Sequence, residues 1–529
     1  MARLCLVFHV VSTFALLWTA AAAQTPIDCT RNREQTRWFV RAGAPGEGAG
    51  TNARPFASLA DVERCAPAGA TIIVLAPADS APPLDGGIRL KDRQKLFGAA
   101  PERGGKPAAR LTNTGSPGDA ITLAHGNEIA HLHIDTPAGA AILGDNVDGV
   151  LLRDLLLTRQ SATPPSTLDA SLCQVVRDGD VVDNARSTLR GCTGGQTPAV
   201  KAAVVLLADD GVGSAAVRYG LQRVVIQGDP SPEKPATSWP AGMSVIVAGR
   251  ARVTLDVQDS SIEYTTRGLG LRGVDHGVLT ANLTNVRLDS LRSDGIGVVA
   301  GFTCSGLDKA TKTPFMNCEK LAPAPVSEAH VVLNADGLRF TDTQRRGQPN
   351  DAAAIEVIAS DQGRSTLEVH VTRSDIIGAA AAGVFTYYFI GRPGRDVIDL
   401  GCLNPDPDRT SPDRDACRKL GYTSAGQNRI FGNMRNSKNI SPYVEVGLQG
   451  PGLMMAQGNY WGDINPVDGK GDALGECGVF DWSGETRDET PVKPLPEARC
   501  DLYNIRPQGN PTGVDGRFHL ASDPRPAKK

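Results

Sequence analysis

The sequence predicts an all-β protein: a single-stranded right-handed parallel β-helix, or solenoid, with a short N-terminal capping helix and an irregular, disulfide-tied C-terminal cap. Two observations predict it. The chain contains 58 glycines and 36 prolines but only 5% aromatic residues, and this composition favours many short strands joined by turns over a helical bundle. The chain also repeats itself with a period of about 20 to 30 residues, which is typical of stacked architectures.

The repeat is clearest in the middle of the chain. Residues 268–272 resemble residues 295–299, and residues 253–257 resemble residues 278–282. Each unit reads as three short strands separated by turns, and each strand has one apolar face. One unit cannot form a core, but stacked units can, because every strand then bonds to its counterparts in layers about 4.8 Å away. We therefore expect the β-helix to span residues 71–463.

The start of the chain predicts export. Residues 1–23 contain an apolar run that is followed by small residues, and this pattern is typical of a secretory signal peptide. We expect the mature protein to reach the periplasm or the cell exterior. No later apolar run has the length of about 18 residues that a membrane helix needs, so no membrane insertion is expected.

Both ends of a solenoid need covers, because their strand edges are otherwise unpaired. Residues 24–70 predict the N-terminal cap, since Phe56, Leu59 and Val62 have helical spacing. Residues 464–505 predict the C-terminal cap. The remaining segments of the prediction are a flexible tail at 506–529 and three insertions into the coils, near 161–199, 303–326 and 391–426.

The cysteines predict disulfides between neighbours in the sequence. The chain has eleven cysteines, of which Cys5 lies in the signal peptide, and an even number remains for an oxidising compartment. Connectivity stays open from sequence, and zinc is the weaker reading because there is no C-x-x-C pair. The expected pairs are Cys29 with Cys65, Cys173 with Cys192, Cys304 with Cys318, Cys402 with Cys417, and Cys477 with Cys500.

Several short motifs resemble one known group of proteins. The motifs at 38–40, 50–51, 54–56 and 68–74, and those at 427–433 and 458–462, are similar to the first and last coils of secreted β-helix proteins of the pectin-lyase-like superfamily. Members that act on polysaccharides use the outer face of the first sheet of each coil, as calcium-assisted lyases or as hydrolases with clustered aspartates. The aspartate motifs of the hydrolases are missing here. The resemblance therefore implies the architecture and leaves catalysis open.

One candidate catalytic group comes from the expected register. Arg267, Asp294 and Asp351 each stand just before the first strand of successive coils. In register, the two carboxylates would lie about 4.8 Å apart, close enough to separate their pKa values into an acid and a base. Calcium, the candidate cofactor, could use the same pair. The alternative reading is a pair of ordinary turn aspartates and a surface ion pair.

Four further residues are candidates for substrate binding on the same sheet. Strand alternation places Arg272, Glu356, Phe385 and Tyr387 on its outer face. The aromatic rings could stack on a sugar beside the carboxylate. Alternatively, the two rings form a small satellite core under the insertion at 391–426.

Charge and motifs together set the expected partners. The formal net charge is −3 and no basic block occurs, so nucleic acid is not an expected partner. We expect a monomer that engages an extended polysaccharide or cell-surface glycan along the solenoid, either as a lyase or hydrolase of an acidic glycan or without catalysis. A non-catalytic adhesin, binding protein or structural spacer is the alternative.

Overall fold

The structure is a computed structural model of the chain. It describes residues 29, 34–46, 48–78, 81–99, 109–115, 118–136, 139–159, 174–177, 180–183, 202–212, 216–230, 239–301, 303–307, 314–315, 327–341, 353–359, 364–379, 382–388, 397–403, 413–431, 433, 444–448, 453–459 and 499–501.

Almost all of the regular structure is β-strand. Two short α-helices are described, α1 at Leu59–Cys65 and α2 at Arg414–Lys419. The strands in chain order are β1 Arg37–Val40, β2 Thr71–Val74, β3 Ile88–Arg89, β4 Lys95–Gly98, β5 Arg110–Thr112, β6 Ile121–Thr122, β7 Glu128–Ala130, β8 His133–Asp135, β9 Ile142–Asp145, β10 Val150–Thr158, β11 Gln174–Arg177, β12 Asp180–Asp183, β13 Ala202–Ala208, β14 Ala216–Gln227, β15 Ala241–Val247, β16 Arg252–Gln258, β17 Ser261–Glu263, β18 Arg267–Gly273, β19 Val278–Thr284, β20 Arg287–Asp289, β21 Ile296–Ala300, β22 Thr303–Leu307, β23 Pro314–Phe315, β24 His330–Asp336, β25 Arg339–Thr341, β26 Ala353–Ala359, β27 Thr366–Thr372, β28 Asp375–Ile377, β29 Ala382–Tyr388, β30 Val397–Gly401, β31 Arg429–Phe431, β32 Val444–Leu448, β33 Leu453–Ala456 and β34 Arg499–Asp501.

The strands stack into three parallel ladders. Ladder 1 is a sheet of ten strands, in the order β3-β6-β9-β13-β15-β18-β21-β26-β29-β32. Ladder 2 contains β1, β2, β4, β7, the first halves of β10 and β14, then β16, β19, β24, β27, β30, β33 and β34. Ladder 3 contains β5, β8, the second halves of β10 and β14, then β17, β20, β25, β28 and β31.

Each strand pairs with the strand at the same place in the next coil. Arg252 of β16 pairs with Val278 of β19, and Ser261 of β17 pairs with Arg287 of β20. The chain therefore rises by one layer each time it has passed through ladders 1, 2 and 3. Long parallel sheets with this pairing have the organisation of a β-helix-like solenoid, as the repeat predicts.

The core runs along the inside of the stack. Alternate residues of each strand are buried, as Val253, Leu255 and Val257 are in β16, and the same pattern recurs in β19. These side chains join one continuous interior cluster that extends from Trp38 to Ala456. Stacking of successive units buries the apolar face that no single unit could cover.

A single left-handed residue makes the sharp corner between ladders 2 and 3. Its φ is positive in coil after coil, at His131, Asp154, Arg223, Asp259, Asn285, Arg373 and Gln427. One residue in this conformation redirects the chain without a loop. Neighbouring corners also bond to each other, since Arg223 Nε donates to Asp154 Oδ1 at 2.6 Å and Asn285 Nδ2 donates to Asp259 Oδ1 at 2.6 Å.

The segment predicted as the N-terminal cap contains helix α1. The Ser58 hydroxyl accepts a hydrogen bond from the Asp61 amide and caps the helix, while Leu59 and Val62 are buried. Cys65, at the end of the helix, forms a disulfide with Cys29, with the Cα atoms 5.2 Å apart.

The motifs near the end of the solenoid prove to be packing motifs. Asn428 is buried and its Oδ1 accepts a hydrogen bond from the Ser374 amide at 2.9 Å. Its Nδ2 donates to the carbonyls of Val371 and Leu400 in two coils, and its own amide donates to Asn459 Oδ1. The next described piece, β34, pairs with β33 and adds another strand to ladder 2.

Two of the predicted insertions meet in one sheet. Strands β11 and β12 of the first and β22 and β23 of the second form a four-stranded antiparallel sheet, in which Val181 pairs with Ser305. The first insertion precedes the ladder 1 strand β13 and the second follows the ladder 1 strand β21. The two insertions therefore leave the solenoid at opposite edges of ladder 1.

The third insertion packs on ladder 2. It carries α2 and the disulfide between Cys402 and Cys417, whose Cα atoms are 5.9 Å apart. These cysteines form a small second core with Tyr422 and Met455. The other three predicted disulfides, Cys173 with Cys192, Cys304 with Cys318 and Cys477 with Cys500, each include a cysteine outside the described residues. Within the described part of the chain, no helix is long and apolar enough to cross a membrane.

Candidate functional site

The structure brings two of the three candidate catalytic residues together. Arg267 Nε lies 3.2 Å from Asp294 Oδ2. The Asp294 side chain is buried, and its Oδ1 accepts a hydrogen bond from the Ala353 amide at 3.2 Å. The Ser293 hydroxyl lies 3.3 Å from Oδ2. This carboxylate is held at the edge of ladder 1 by an arginine and a backbone amide, as in an ion pair that stabilises the coil.

The register differs from the predicted one at the third position. Ile296 pairs with Ile355, so the residue opposite Asp294 in the next coil is Ala353. We expected Asp351 there, and Asp351 lies outside the described residues. The observed register is shifted by two residues from the expected one, a shift that apolar alternation cannot reveal because it keeps each side chain on the same face. The position opposite Asp294 in the next coil therefore holds no carboxylate.

The predicted substrate-binding residues lie on the outer face of ladder 1 but in two different rows. Glu356 pairs with Phe385, and both side chains are half-buried. Arg272 belongs to the neighbouring row, where it pairs with Ile246 and Val299. That row continues through Ile358 to Tyr387, whose side chain is outside the described part of the structure. The satellite core offered as the alternative exists under the third insertion, but its aromatic ring is Tyr422 on ladder 2.

Part of the outer face of ladder 1 is apolar and covered. Val205, Leu207, Ile246 and Val299 alternate with the core residues and stand outside the interior cluster, yet they are only 1%, 4%, 1% and 8% exposed. These side chains belong to β13, β15 and β21, the coils between the two insertions that pair with each other. These four side chains offer almost no surface to a ligand, whereas the outward positions Ser244, Gly270 and Gly297 beside them are partly exposed.

The outer face of ladder 2 is polar, and it is exposed or half-buried from β16 to β24. We name as the polar row the residues that pair in register along it, Asp256, Asn282, Asn334, His370 and Asp399. Asn334 Nδ2 donates to Asn282 Oδ1 at 2.9 Å, and Asn282 Nδ2 donates to Asp256 Oδ1 at 2.8 Å. The adjacent row contains Thr254, Thr280, Val332 and Glu368.

The polar row ends in a cluster of alternating imidazoles and carboxylates. Glu368 Oε1 lies 3.6 Å from His330 Nε2, and its Oε2 lies 3.6 Å from His370 Nε2. The other nitrogen of each ring is also held, because His330 Nδ1 lies 2.6 Å from the Thr366 hydroxyl and His370 Nδ1 lies 3.1 Å from Asp399 Oδ2. Both rings thus turn Nε2 toward one carboxylate, whose side chain is 37% exposed.

Asp399 anchors this cluster from within the protein. It is fully buried, and its oxygens accept hydrogen bonds from the amides of Gly401, Thr423 and Ser424 at 3.1, 2.6 and 2.6 Å. Burial of His370 opposes its charged form, but the hydrogen bond and charge of Asp399, together with Glu368, outweigh burial and raise the pKa of the imidazole. The imidazole of His370 therefore keeps its proton to a higher pH than an ordinary histidine.

Comparison with protein-family models, with curated proteins and with solved structures finds no match in any of the three. Within the described residues, no group of three His, Cys, Asp or Glu side chains is arranged to hold a metal ion. The candidate site therefore stands on its own geometry.

The sequence contained a signal for the polar row that strand alternation alone did not reveal. Asp256, Asn282, Asn334 and His370 are each the fifth residue of a seven-residue strand. Aligning the strands by their first residues would have shown one polar position in four successive coils. Asp399 carries no such signal, because its strand β30 lies inside the range 391–426 that the sequence predicted as an insertion.

Proposed function

We propose that the protein is an exported solenoid that binds an extended polysaccharide along the outer face of ladder 2. The observation that carries the proposal is the polar row, whose members Asp256, Asn282 and Asn334 are exposed or half-buried on three successive coils, with the buried His370 following on the fourth. Its groups repeat at the coil spacing of about 4.8 Å. A polymer with a regular repeat lying along the row meets the same hydrogen-bonding groups at each step.

The chemistry of this face suits a glycan. Carboxylate, amide and hydroxyl groups of Asp256, Asn282 and Thr280 offer both donors and acceptors to sugar hydroxyls. Short side chains on paired strands lose little conformational entropy when they bind, since the backbone already holds them. We propose that this rigidity replaces the aromatic platform expected on ladder 1.

The same proposal includes the finer fold and the compartment. Crossovers between parallel strands of one sheet are almost always right-handed, which supports a right-handed β-helix, and we propose membership of the pectin-lyase-like superfamily on the motifs at 427–433 and 458–462. The disulfides Cys29–Cys65 and Cys402–Cys417 suggest an oxidising, non-cytoplasmic compartment. They support export through a signal peptide at 1–23, which lies outside the described residues.

A second candidate function is a non-catalytic spacer or adhesin. The observation that favours it is the bonding within the polar row, where Asn334, Asn282 and Asp256 already satisfy one another. Such a row stabilises a rod without any ligand. Cleavage of the bound polysaccharide, as a lyase or a hydrolase, would be an addition to either function.

The test is a binding screen with a variant that removes the row. Wild-type protein is titrated with acidic and neutral oligosaccharides by calorimetry, and we expect a double Asn282→Ala, Asn334→Ala variant to lose about tenfold in affinity, since each lost hydrogen bond is worth about 1 kcal/mol. Thr341→Ala on ladder 3 is the matched control and should bind normally.

Ultraviolet absorbance and new reducing ends, with and without calcium, report cleavage in the same samples. The absence of binding across acidic and neutral glycans would overturn the proposal in favour of the spacer. An equal loss in Thr341→Ala would also overturn it, because the face would then not be ladder 2.

A further inference from the structure

A groove lies between helix α1 and strand β3 at the N-terminal end of the solenoid. Helix α1 buries Leu59 and Val62 and turns another face, with Ala60, Glu63 and Arg64, to the groove. Residues three and four apart on a helix lie on one face, so these three form one wall. The volume of the groove is about 420 Å³. Small-molecule sites have volumes of about 300 to 1,000 Å³, so a small molecule fits.

The other wall comes from the start of ladder 1. Arg89 and Lys91 alternate with the buried Leu90, so both polar side chains leave the core on the same side, and all three residues line the groove. Gly86 and Gly87, in the turn before β3, complete the lining. Gly87 has a φ of 70°, in the left-handed region that favours glycine. The sequence therefore provides the residue that this turn requires.

Hydrogen bonds join the two walls to each other. Glu63 Oε2 accepts a hydrogen bond from the Arg89 amide at 2.9 Å, and Lys91 Nζ donates to the Ala66 carbonyl, just after α1, at 2.7 Å. Gln94 Nε2 donates to the same carbonyl at 3.0 Å. The walls are thus held in place without a ligand, which lowers the conformational entropy that binding costs.

The lining of the groove is cationic, although the whole chain has a formal net charge of −3. Arg64, Arg89 and Lys91 accompany one carboxylate, that of Glu63, so the lining carries two positive charges in excess. Among the described residues, no hydrogen bond or ion pair engages the exposed Arg89 guanidinium. Its five N–H donors are therefore available to an anion.

Two further carboxylates stand outside the lining, and both already accept hydrogen bonds. Asp61 Oδ2 accepts one from the Ser58 hydroxyl at 2.7 Å, and Asp61 Oδ1 lies 2.9 Å from an Arg64 nitrogen. Asp85 Oδ1 accepts hydrogen bonds from the amides of Gly86 and Thr114, both at 2.8 Å. These donors offset the charge of each carboxylate locally, so the excess positive charge of the lining remains available to a ligand.

We propose that this groove binds a small phosphate monoester that also carries hydroxyl groups. A guanidinium binds two phosphate oxygens at once and an ammonium adds a point charge, and Arg89 and Lys91 supply both. Glu63 uses Oε2 for the Arg89 amide, and its Oε1 accepts a hydrogen bond from a ligand hydroxyl. The site lies on the N-terminal cap and ladder 1, so it is independent of a polysaccharide on ladder 2.

The experiment separates the phosphate from the rest of the ligand. Glycerol phosphate, inorganic phosphate and glycerol are titrated into the full-length protein by calorimetry at about pH 7.5, where phosphate is mostly doubly charged because its second pKa is about 6. We expect glycerol phosphate to bind about fivefold more tightly than inorganic phosphate, the effect of one added hydrogen bond. Glycerol, which lacks the charge, should not bind.

One charge-neutral variant and its matched control test the residues. Arg89→Gln should lose about tenfold or more in affinity for glycerol phosphate, because hydrogen bonds between charged groups are the strong ones. Its side chain is exposed, so the variant should fold as wild type does, as judged by circular dichroism. Arg37→Gln makes the same charge change at an exposed position of β1 on ladder 2 and should keep the wild-type affinity.

Three results would overturn the inference, and none of them bears on the ladder 2 face. The first is that glycerol phosphate does not bind. The second is equal affinity for inorganic phosphate, because the glycerol part would then make no contact. The third is an affinity that Arg89→Gln leaves unchanged or that Arg37→Gln lowers equally, since binding would then follow the overall charge of the protein and not this groove.

Discussion

The outer faces of ladder 1 and ladder 2 belong to the same coils and yet differ in how they are covered. In one coil, Ile246 of β15 points outward from ladder 1 and is 1% exposed, whereas Thr254 of β16 points outward from ladder 2 and is only half-buried. Their inward neighbours Val245 and Val253 are equally buried. The interior must repeat because stacked coils share one core, but each outer face is free to differ. Function in such a protein is therefore a property of the outer faces.

The difference is the reason for proposing the ladder 2 face, while binding on the ladder 1 face stays a prediction. Arg272, Glu356 and Phe385 do point outward from ladder 1, as alternation predicts. In the row of Arg272, however, the neighbours Ile246 and Val299 are buried. The polar row of ladder 2 is exposed or half-buried from Asp256 to Asn334 and becomes buried at His370.

The largest expected effect comes from a charge placed on each face of one coil. Ile246→Asp should lower the free energy of unfolding by about 3 to 5 kcal/mol, because it buries an unpaired carboxylate. Thr254→Asp, the matched change on ladder 2, should cost less than about 1 kcal/mol, because water still reaches it. Urea unfolding followed by circular dichroism measures both. Equal losses of unfolding free energy in the two variants would mean that the two faces are equally accessible to solvent.

An intermediate effect is expected from pH. The pKa of His370 is raised in the folded protein, so the folded state holds more protons than the unfolded state in that range. The stabilisation from this proton is complete below the pKa of histidine in the unfolded state, about 6.5, and it disappears as pH rises through the higher pKa of the folded state. Each unit of difference between these two pKa values contributes about 1.4 kcal/mol to the free energy of unfolding.

The measurement is the free energy of unfolding as a function of pH. Wild type should lose stability as pH rises above about 6.5, and His370→Gln should lose this slope. His276→Gln, which changes an exposed imidazole at a corner beside ladder 1, is the control and should keep the slope. A slope that survives in His370→Gln would show that Asp399 and Glu368 do not hold its proton.

The smallest effect is expected within the polar row. Asn282→Ala removes two side-chain hydrogen bonds, to Asp256 and from Asn334, but leaves both partners accessible to water. The substitution should therefore lower the free energy of unfolding, measured by calorimetry, by only about 0.5 to 1 kcal/mol. A loss above about 2 kcal/mol would mark the row as structural and favour the spacer over the glycan-binding protein.

The packing of the solenoid could be predicted because it depends on local patterns. The alternation of Val253, Leu255 and Val257 predicts a buried face whatever the rest of the chain does. The helical spacing of Leu59 and Val62 predicts α1 in the same way. Cysteines close in sequence, such as Cys402 and Cys417, need only a short loop to meet. Each of these features requires information from a few neighbouring residues.

Other features depend on contacts between distant parts of the chain. The sequence by itself determined the repeat, the inward faces and the parallel stacking, because period and alternation are local properties. Only the tertiary structure decided that Ala353 stands opposite Asp294, since register depends on where β26 begins. It also decided that Asp399 is buried beneath the third insertion against His370, while Ile246 is covered on ladder 1. Insertions of this length are placed by the surfaces they cover, which no short stretch of sequence encodes.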